Sequence, residues 1–205
     1  MAVHFINGAG FIENVVAFRQ LWLGGRLGSG KTLTCVALAK WLYEENLVDG
    51  VFANFPIDSD YIPIRKCVRR SAVILDEGWS FADARNSQKK FEGYGAFARK
   101  LDSFWLSPSV FRVDKRMAQL QARRILDLWV LDAWLFQWHD IEGYKGHFLL
   151  RNYQECYGRY DHKFIPFDDG GIRDSLFSEI EDAAGSTREV LIASKNNSGV
   201  LHYGA

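Results

Sequence analysis

The chain has 205 residues, no net charge at neutral pH, and 48% apolar against 24% charged residues. That length suits one domain of ordinary size, and the composition excludes a disordered or collagen-like chain. A zero balance also argues against a monomer that coats nucleic acid over its whole surface, which needs an excess of basic residues.

Met1–Val16 carries one acidic residue and no basic start, so a secretory signal is not expected there. Gln20–Gly24 reads as a short apolar strand, followed by glycine-rich Gly25–Gly30 and then by helical spacing over Lys31–Glu45, with an amphipathic pattern. Val51–Asn54 reads as a second strand, and Ala72–Leu75 as a buried parallel strand ending at Asp76-Glu77. A polar segment with helical potential runs from Asp83 to Lys100, and Ser103–Leu106 is a further strand with a turn at Pro108. This alternation predicts an α/β fold with a central, mostly parallel sheet.

The last third is different. Leu126–Gln137 and Gly146–Tyr153 are aromatic and β-prone, predicting a long hairpin with its connection at His139–Lys145. Asp168–Gly171 reads as a turn, Ser175–Ala184 as a helix and Gly185–Ala205 as a polar tail. The apolar run Leu126–Trp138 is interrupted by Asp127 and Asp132 and is too short to cross a bilayer, so a soluble protein is expected. Residues 1–205 read as one domain, with a core over about 19–125 and an aromatic extension over about 126–205. Cys35, Cys67 and Cys156 show no CxxC spacing, so neither a zinc site nor a disulfide framework is suggested.

Gly25-Arg26-Leu27-Gly28-Ser29-Gly30-Lys31-Thr32 fits the pattern G-x-x-x-x-G-K-[ST] in full. Phosphate oxygens need several backbone N–H groups pointing inward together, and glycines let the chain curl that tightly. The helix that follows turns its positive end toward the anion. Lys31 can reach the β- and γ-phosphates, and the Thr32 hydroxyl can ligate magnesium. Asp76, at the end of a buried strand, is the expected second magnesium contact, and Glu77 the group that polarises the attacking water. A transition-state arginine is also required, and a neighbouring subunit can supply it. Arg99 is the first choice, because the helix it ends is expected to bring it near the C-terminal edge of the sheet; Arg85, Arg112 and Arg116 compete with it. The expected activity is that of a magnesium-dependent ATPase with ATP as nucleotide, on a P-loop NTPase (RecA-like) three-layer sandwich with added C-terminal β-strands.

In order, a phosphate loop, a strand ending Asp76-Glu77, a helix ending Ala98-Arg99-Lys100 and a strand closing on a polar turn resemble the FtsK–HerA superfamily of DNA-pumping ATPases. The likeness covers roughly Gln20–Met117. Within that group the chain resembles the genome-packaging ATPases of tailless icosahedral viruses with an internal membrane, and the zonula occludens toxin-like assembly ATPases of filamentous phages. It implies a ring, a hexamer in the first instance, that moves double-stranded DNA into a preformed capsid, docks on capsid or membrane vertex proteins, and resides in the host cytoplasm or with the virion. Ser107 or Ser109 stands where the superfamily places a sensor glutamine, and neither has its reach. Tyr157-Gly158-Arg159-Tyr160-Asp161 resembles a segment near the end of the phage ATPases. The basic stretches Arg65–Arg70 and Arg112–Arg124 are the candidate DNA-facing elements, binding phosphates without regard to sequence. The competing expectations are a phage assembly ATPase and a small-molecule P-loop kinase with Arg112–Arg124 as its lid.

Overall fold

The structure is a computed structural model and describes residues 4–6, 8–76, 94–110, 119–163, 178–179 and 182. Glu77, Arg85, Arg112 and Arg116 lie outside the described residues, as do the expected turn at 168–171, the polar tail and most of the expected helix at 175–184.

The elements are β1 (His4–Ile6), α1 (Ala9–Phe18), β2 (Gln20–Gly24), α2 (Lys31–Glu44), β3 (Val51–Ala53), β4 (Ala72–Ile74), α3 (Tyr94–Lys100), β5 (Phe104–Ser109), β6 (Leu120–Leu128), β7 (Ala133–Asp140) and β8 (Lys145–Arg151). Single 3-10 turns occupy Trp129–Leu131 and Tyr153–Cys156. The strands make one sheet in the order β1-β8-β7-β6-β2-β5-β4-β3. From β6 to β3 neighbouring strands are parallel, whereas β7, β8 and β1 add antiparallel pairs on the β6 side. The fold is therefore α/β with a mixed sheet, parallel over the part that carries the glycine-rich loop Gly25–Gly30.

Alternation along the strands sorts side chains to two faces. Leu21 and Leu23 of β2, Ile74 of β4, and Phe104 and Leu106 of β5 join Phe11, Val15, Leu38 and Leu42 of α1 and α2 in one core. Trp22, Val73 and Trp105 point the other way and are also buried; α3 packs on that face against β5 and β2. Helix, sheet and helix thus make three layers. The first core continues under the antiparallel strands, where Phe148 stacks on Phe11 at 4.1 Å and on Phe136 at 4.8 Å.

Several expected elements need correction. The amphipathic reading of α2 fails: Leu33, Thr34, Cys35, Val36, Ala37, Leu38 and Ala39 are all buried, because the Tyr153–Cys156 turn packs on the helix from outside the sheet. A helix covered on both sides needs no polar stripe. Strand β5 runs through Pro108, which pairs with Leu23. The Phe104 N–H and the Leu106 carbonyl bond toward the β4 side, so Pro108, in phase with them, faces beyond the end of β4 and its missing N–H removes no ladder bond. The hairpin expected over Leu126–Gln137 and Gly146–Tyr153 is instead three strands. Its first turn falls at Trp129–Leu131, inside the apolar run, with Asp132 in the left-handed region at φ 44°. The body of that turn is apolar, and its one local signal is Asp132, a residue type that tolerates the left-handed region. The edge strand β1 and helix α1 were not read from the sequence at all.

Candidate phosphate-loop site

The loop Gly25–Gly30 leaves the C-terminal end of β2, in the parallel centre of the sheet. Gly30 caps α2 at φ 78° and Gly28 has φ 72°, both conformations that favour glycine. Gly30 has a second constraint: a Cβ there would lie 2.2 Å from the Trp134 ring. Trp134 comes from β7, stacks on Tyr153 at 3.8 Å and carries the Arg124 guanidinium over its ring at 4.6 Å. The C-terminal strands therefore support the glycine-rich loop from the side. No feature of the local sequence around Gly30 signals this contact.

Lys31 is buried and its ammonium donates to the Arg26 carbonyl at 3.0 Å, folding across the loop. The loop closes on itself through a Ser29 N–H bond to the Arg26 carbonyl at 3.1 Å. The Ser29 hydroxyl is buried without a hydrogen-bond partner, a polar atom at the loop for which an anion is a natural acceptor. Arg26 and Leu27 are exposed on the crest.

Strand β5 separates β2 from β4, placing the ends of those two strands about 10 Å apart. Helix α2 lies over β5 and β4, so its first turn spans that gap. The Thr32 hydroxyl donates to Asp76 Oδ2 at 3.1 Å, bringing together residues 44 positions apart. A hydroxyl and a carboxylate in contact beside the glycine-rich loop form an oxygen donor set of the kind magnesium takes, so the residues fit that ion. The main chain of Asp76 is in turn held by the Asn54 carboxamide. Cys35 lies beneath, fully buried. Burial pushes its thiol well above the ordinary range, the Asp76 carboxylate adds to the rise, and the Lys31 ammonium opposes it. Lys31, Thr32 and Asp76 are therefore gathered at one end of the sheet.

The segment Tyr157–Asp161 folds back over this end. Tyr160 pairs with Ile57, its ring meets Phe55 edge-on at 5.8 Å, and the Asp161 N–H donates to the Pro56 carbonyl. Burial raises the Tyr160 phenol, with the Asp76 carboxylate as the next cause. The same segment helps line an open cleft of about 490 Å³, with Asp132, Asn152, Tyr157 and Arg159 among its residues. Ser109 is buried opposite Gly24 at the end of β5, and Ser107 lies opposite Trp22.

Arg99 is not where the sequence reading put it. It is exposed in the last turn of α3, and the chain then turns through Asp102, which pairs with Arg19 and with Arg70 (3.0 Å) at the starts of β2 and β4. A helix that leads into a strand ends at the strand's beginning, so Arg99 sits at the N-terminal edge of the sheet. Five residues of β2 separate that edge from Gly25, roughly 17 Å. Two of the basic residues at 65–70 have local partners at the same edge: Arg65 and Arg70 both pair with Asp49. Arg123, by contrast, is opposite Gly24 at the loop end. Among the described residues, Arg65 and Arg70 therefore lie at the opposite end of the sheet from Arg123.

No protein-family model matches this chain, and no curated protein matches it in sequence. Among the described residues, no helix is long and apolar enough to cross a membrane.

Proposed function

We propose that this chain is a magnesium-dependent ATPase of the P-loop class that works as a ring-forming motor on double-stranded DNA, in the manner of a viral genome-packaging ATPase. The observation that carries the nucleotide part is the Thr32–Asp76 hydrogen bond, which joins the two sequence motifs in space. The RecA-like reading has support from the parallel strands with the loop at the C-terminal end of a central one, where open α/β sheets bind their ligands. In this reading the loop N–H groups and the α2 N-terminus take the phosphates. Lys31, released from the Arg26 carbonyl, bridges the β- and γ-phosphates. Thr32 and Asp76 hold Mg2+, which supplies charge neutralisation at the transferred phosphoryl group. Glu77 follows Asp76 directly in the chain and is assigned to polarise water.

The motor part rests on the resemblance of the loop, Asp76-Glu77 and Ala98-Arg99-Lys100 to DNA-pumping ATPases. The position of Arg99 bears on it. Within one subunit Arg99 cannot approach the phosphate loop, so a transition-state role for it needs a neighbouring copy, as a ring would provide.

The test is steady-state ATP hydrolysis by the wild type and by Lys31→Ala, each with and without double-stranded DNA. Lys31-dependent turnover that rises with DNA is expected. Turnover indifferent to DNA would retain the ATPase and remove the DNA motor, in favour of a partner-activated assembly ATPase. Turnover that appears only with a phosphate acceptor would make the protein a kinase.

A further inference from the structure

Strands β3 and β4 pair from Val51↔Ala72 to Ala53↔Ile74 and stop there. The Asn54 N–H still donates to the Ile74 carbonyl at 3.3 Å. Past that point the side chain of Asn54 continues what the backbone began. Its Oδ1 accepts from the Asp76 N–H at 2.8 Å and its Nδ2 donates to the Asp76 carbonyl at 2.9 Å. On the opposite edge of the same segment, the Leu75 N–H donates to the Leu106 carbonyl of β5 at 3.1 Å. Asp76 is thus fixed at both of its main-chain polar atoms by one side chain, immediately after its neighbour is fixed from the other side.

The chemistry of this bracket selects asparagine. The main chain of one residue offers one donor and one acceptor, and a carboxamide returns one of each. Aspartate has no donor when ionised, serine offers one atom, alanine none, and glutamine is a methylene too long for the same Cα position. The orientation of the amide is also determined, since the Asp76 N–H can meet only oxygen and its carbonyl only nitrogen. Asn54 is 2% exposed, so water does not compete for these bonds.

We propose that Asn54 is a positioning residue for magnesium: by locking the Asp76 backbone it aims the carboxylate at the Thr32 hydroxyl before any ion arrives. The proposal rests on the reading of Thr32 and Asp76 as the magnesium pair. The reason for its effect is preorganisation. A carboxylate already held in the binding geometry loses less freedom when the ion binds, and partners that orient a ligand typically change metal affinity about 10–100-fold. An asparagine that merely tied β3 to β4 would affect folding and leave metal affinity of the folded protein alone.

The experiment is a Mn2+ titration, followed by electron paramagnetic resonance, of protein saturated with a non-hydrolysable ATP analogue. Wild type, Asn54→Ala, Asn54→Ser and Asp76→Ala are compared, with binding of the analogue in EDTA as a second readout and circular dichroism as the check on folding. Asn54→Ala is expected to weaken Mn2+ binding about tenfold or more while analogue binding in EDTA stays within about twofold of wild type. Asn54→Ser, which keeps a polar atom and perturbs the strand end less, falls between and serves if the alanine variant does not fold. A folded Asn54 variant with wild-type Mn2+ affinity would overturn the proposal, as would an equal loss of analogue binding in EDTA. If Asp76→Ala itself binds Mn2+ as wild type does, the magnesium reading of Asp76 is wrong and the role of Asn54 goes with it. That failure is visible in the Asp76 variant rather than in the Asn54 ones.

Discussion

At the scale of residues, Gly28 and Gly30 illustrate how one backbone conformation can carry two different constraints. Both have positive φ, but a Cβ on Gly28 would meet nothing within 4 Å while one on Gly30 would strike Trp134. Gly28→Ala is therefore expected to lose about 1 kcal/mol, the backbone term alone. Gly30→Ala adds to that the overlap with the Trp134 ring, a loss of about 3 kcal/mol or more in all. Urea midpoints of the two variants measure the difference. Adding Trp134→Ala to Gly30→Ala should not be additive, because the smaller side chain removes the clash it would otherwise be charged for. Strict additivity would show that Trp134 does not press on the loop.

At the scale of elements, the two ends of the parallel strands are held by different physics. The loop end rests on aromatic packing and uncharged hydrogen bonds: Trp134 and Tyr153 brace the first turn of α2, and the Asn54 amide brackets the end of β4. The opposite end is a chain of ion pairs, Arg65–Asp49–Arg70–Asp102–Arg19, joining the starts of β2, β4 and β5. Arg19, Arg70 and Asp102 each have positive φ as the chain turns into a strand, so the pairs form where the backbone is least relaxed. Pairs this exposed contribute little singly and are screened by salt. Hydrogen bonds from Arg70 hold the Asp49 carboxyl below the ordinary carboxylate range. A lowered folded-state value means the stabilising contribution is complete above the unfolded value, near pH 4. It is lost as pH falls through the folded one. Asp49→Asn should accordingly flatten stability against pH below about 4 and leave that acid slope otherwise unchanged at higher pH. Urea midpoints between pH 2 and pH 6 at low salt test this, and an unaltered acid slope would show that the pair contributes nothing.

At the scale of the whole molecule, the antiparallel extension does more than widen the sheet. Strand β6 passes the level of Gly24 at Arg123 and continues to Leu128, so the hairpin stands beyond the loop end. Its tip leaves Trp129 78% and Val130 73% exposed. The same sheet puts Arg99 at the far edge, and this geometry gives the ring reading a direct test. Arg99→Ala and Lys31→Ala should each be inactive, and Arg99→Ala should still bind nucleotide. Mixed in equal amounts, they should recover up to about a quarter of the wild-type rate if the arginine acts across an interface, since only that fraction of interfaces pairs an intact loop with an intact arginine. No recovery, or full activity of Arg99→Ala alone, would remove Arg99 from the chemistry.

The linear order of residues was enough for the parts of this protein whose chemistry is contiguous. The glycine-rich motif Gly25–Thr32 is eight successive residues, and β2, α2, β3 and β4 were legible because each is set by its own apolar run and punctuation. Asp76 could be singled out for the same reason, as the acidic end of a buried run. Everything that depends on distant residues meeting needed the folded chain. Thr32 reaches Asp76 across β5, Asn54 brackets it from 22 residues away, and Trp134 fills the space that Gly30 leaves. The apolar turn at Trp129–Leu131, the strand that continues through Pro108 and the edge at which Arg99 falls were misread for a related reason. Local composition fixes which conformations are cheap, but strand order and register decide which hydrogen bonds are needed and which side chains share a face.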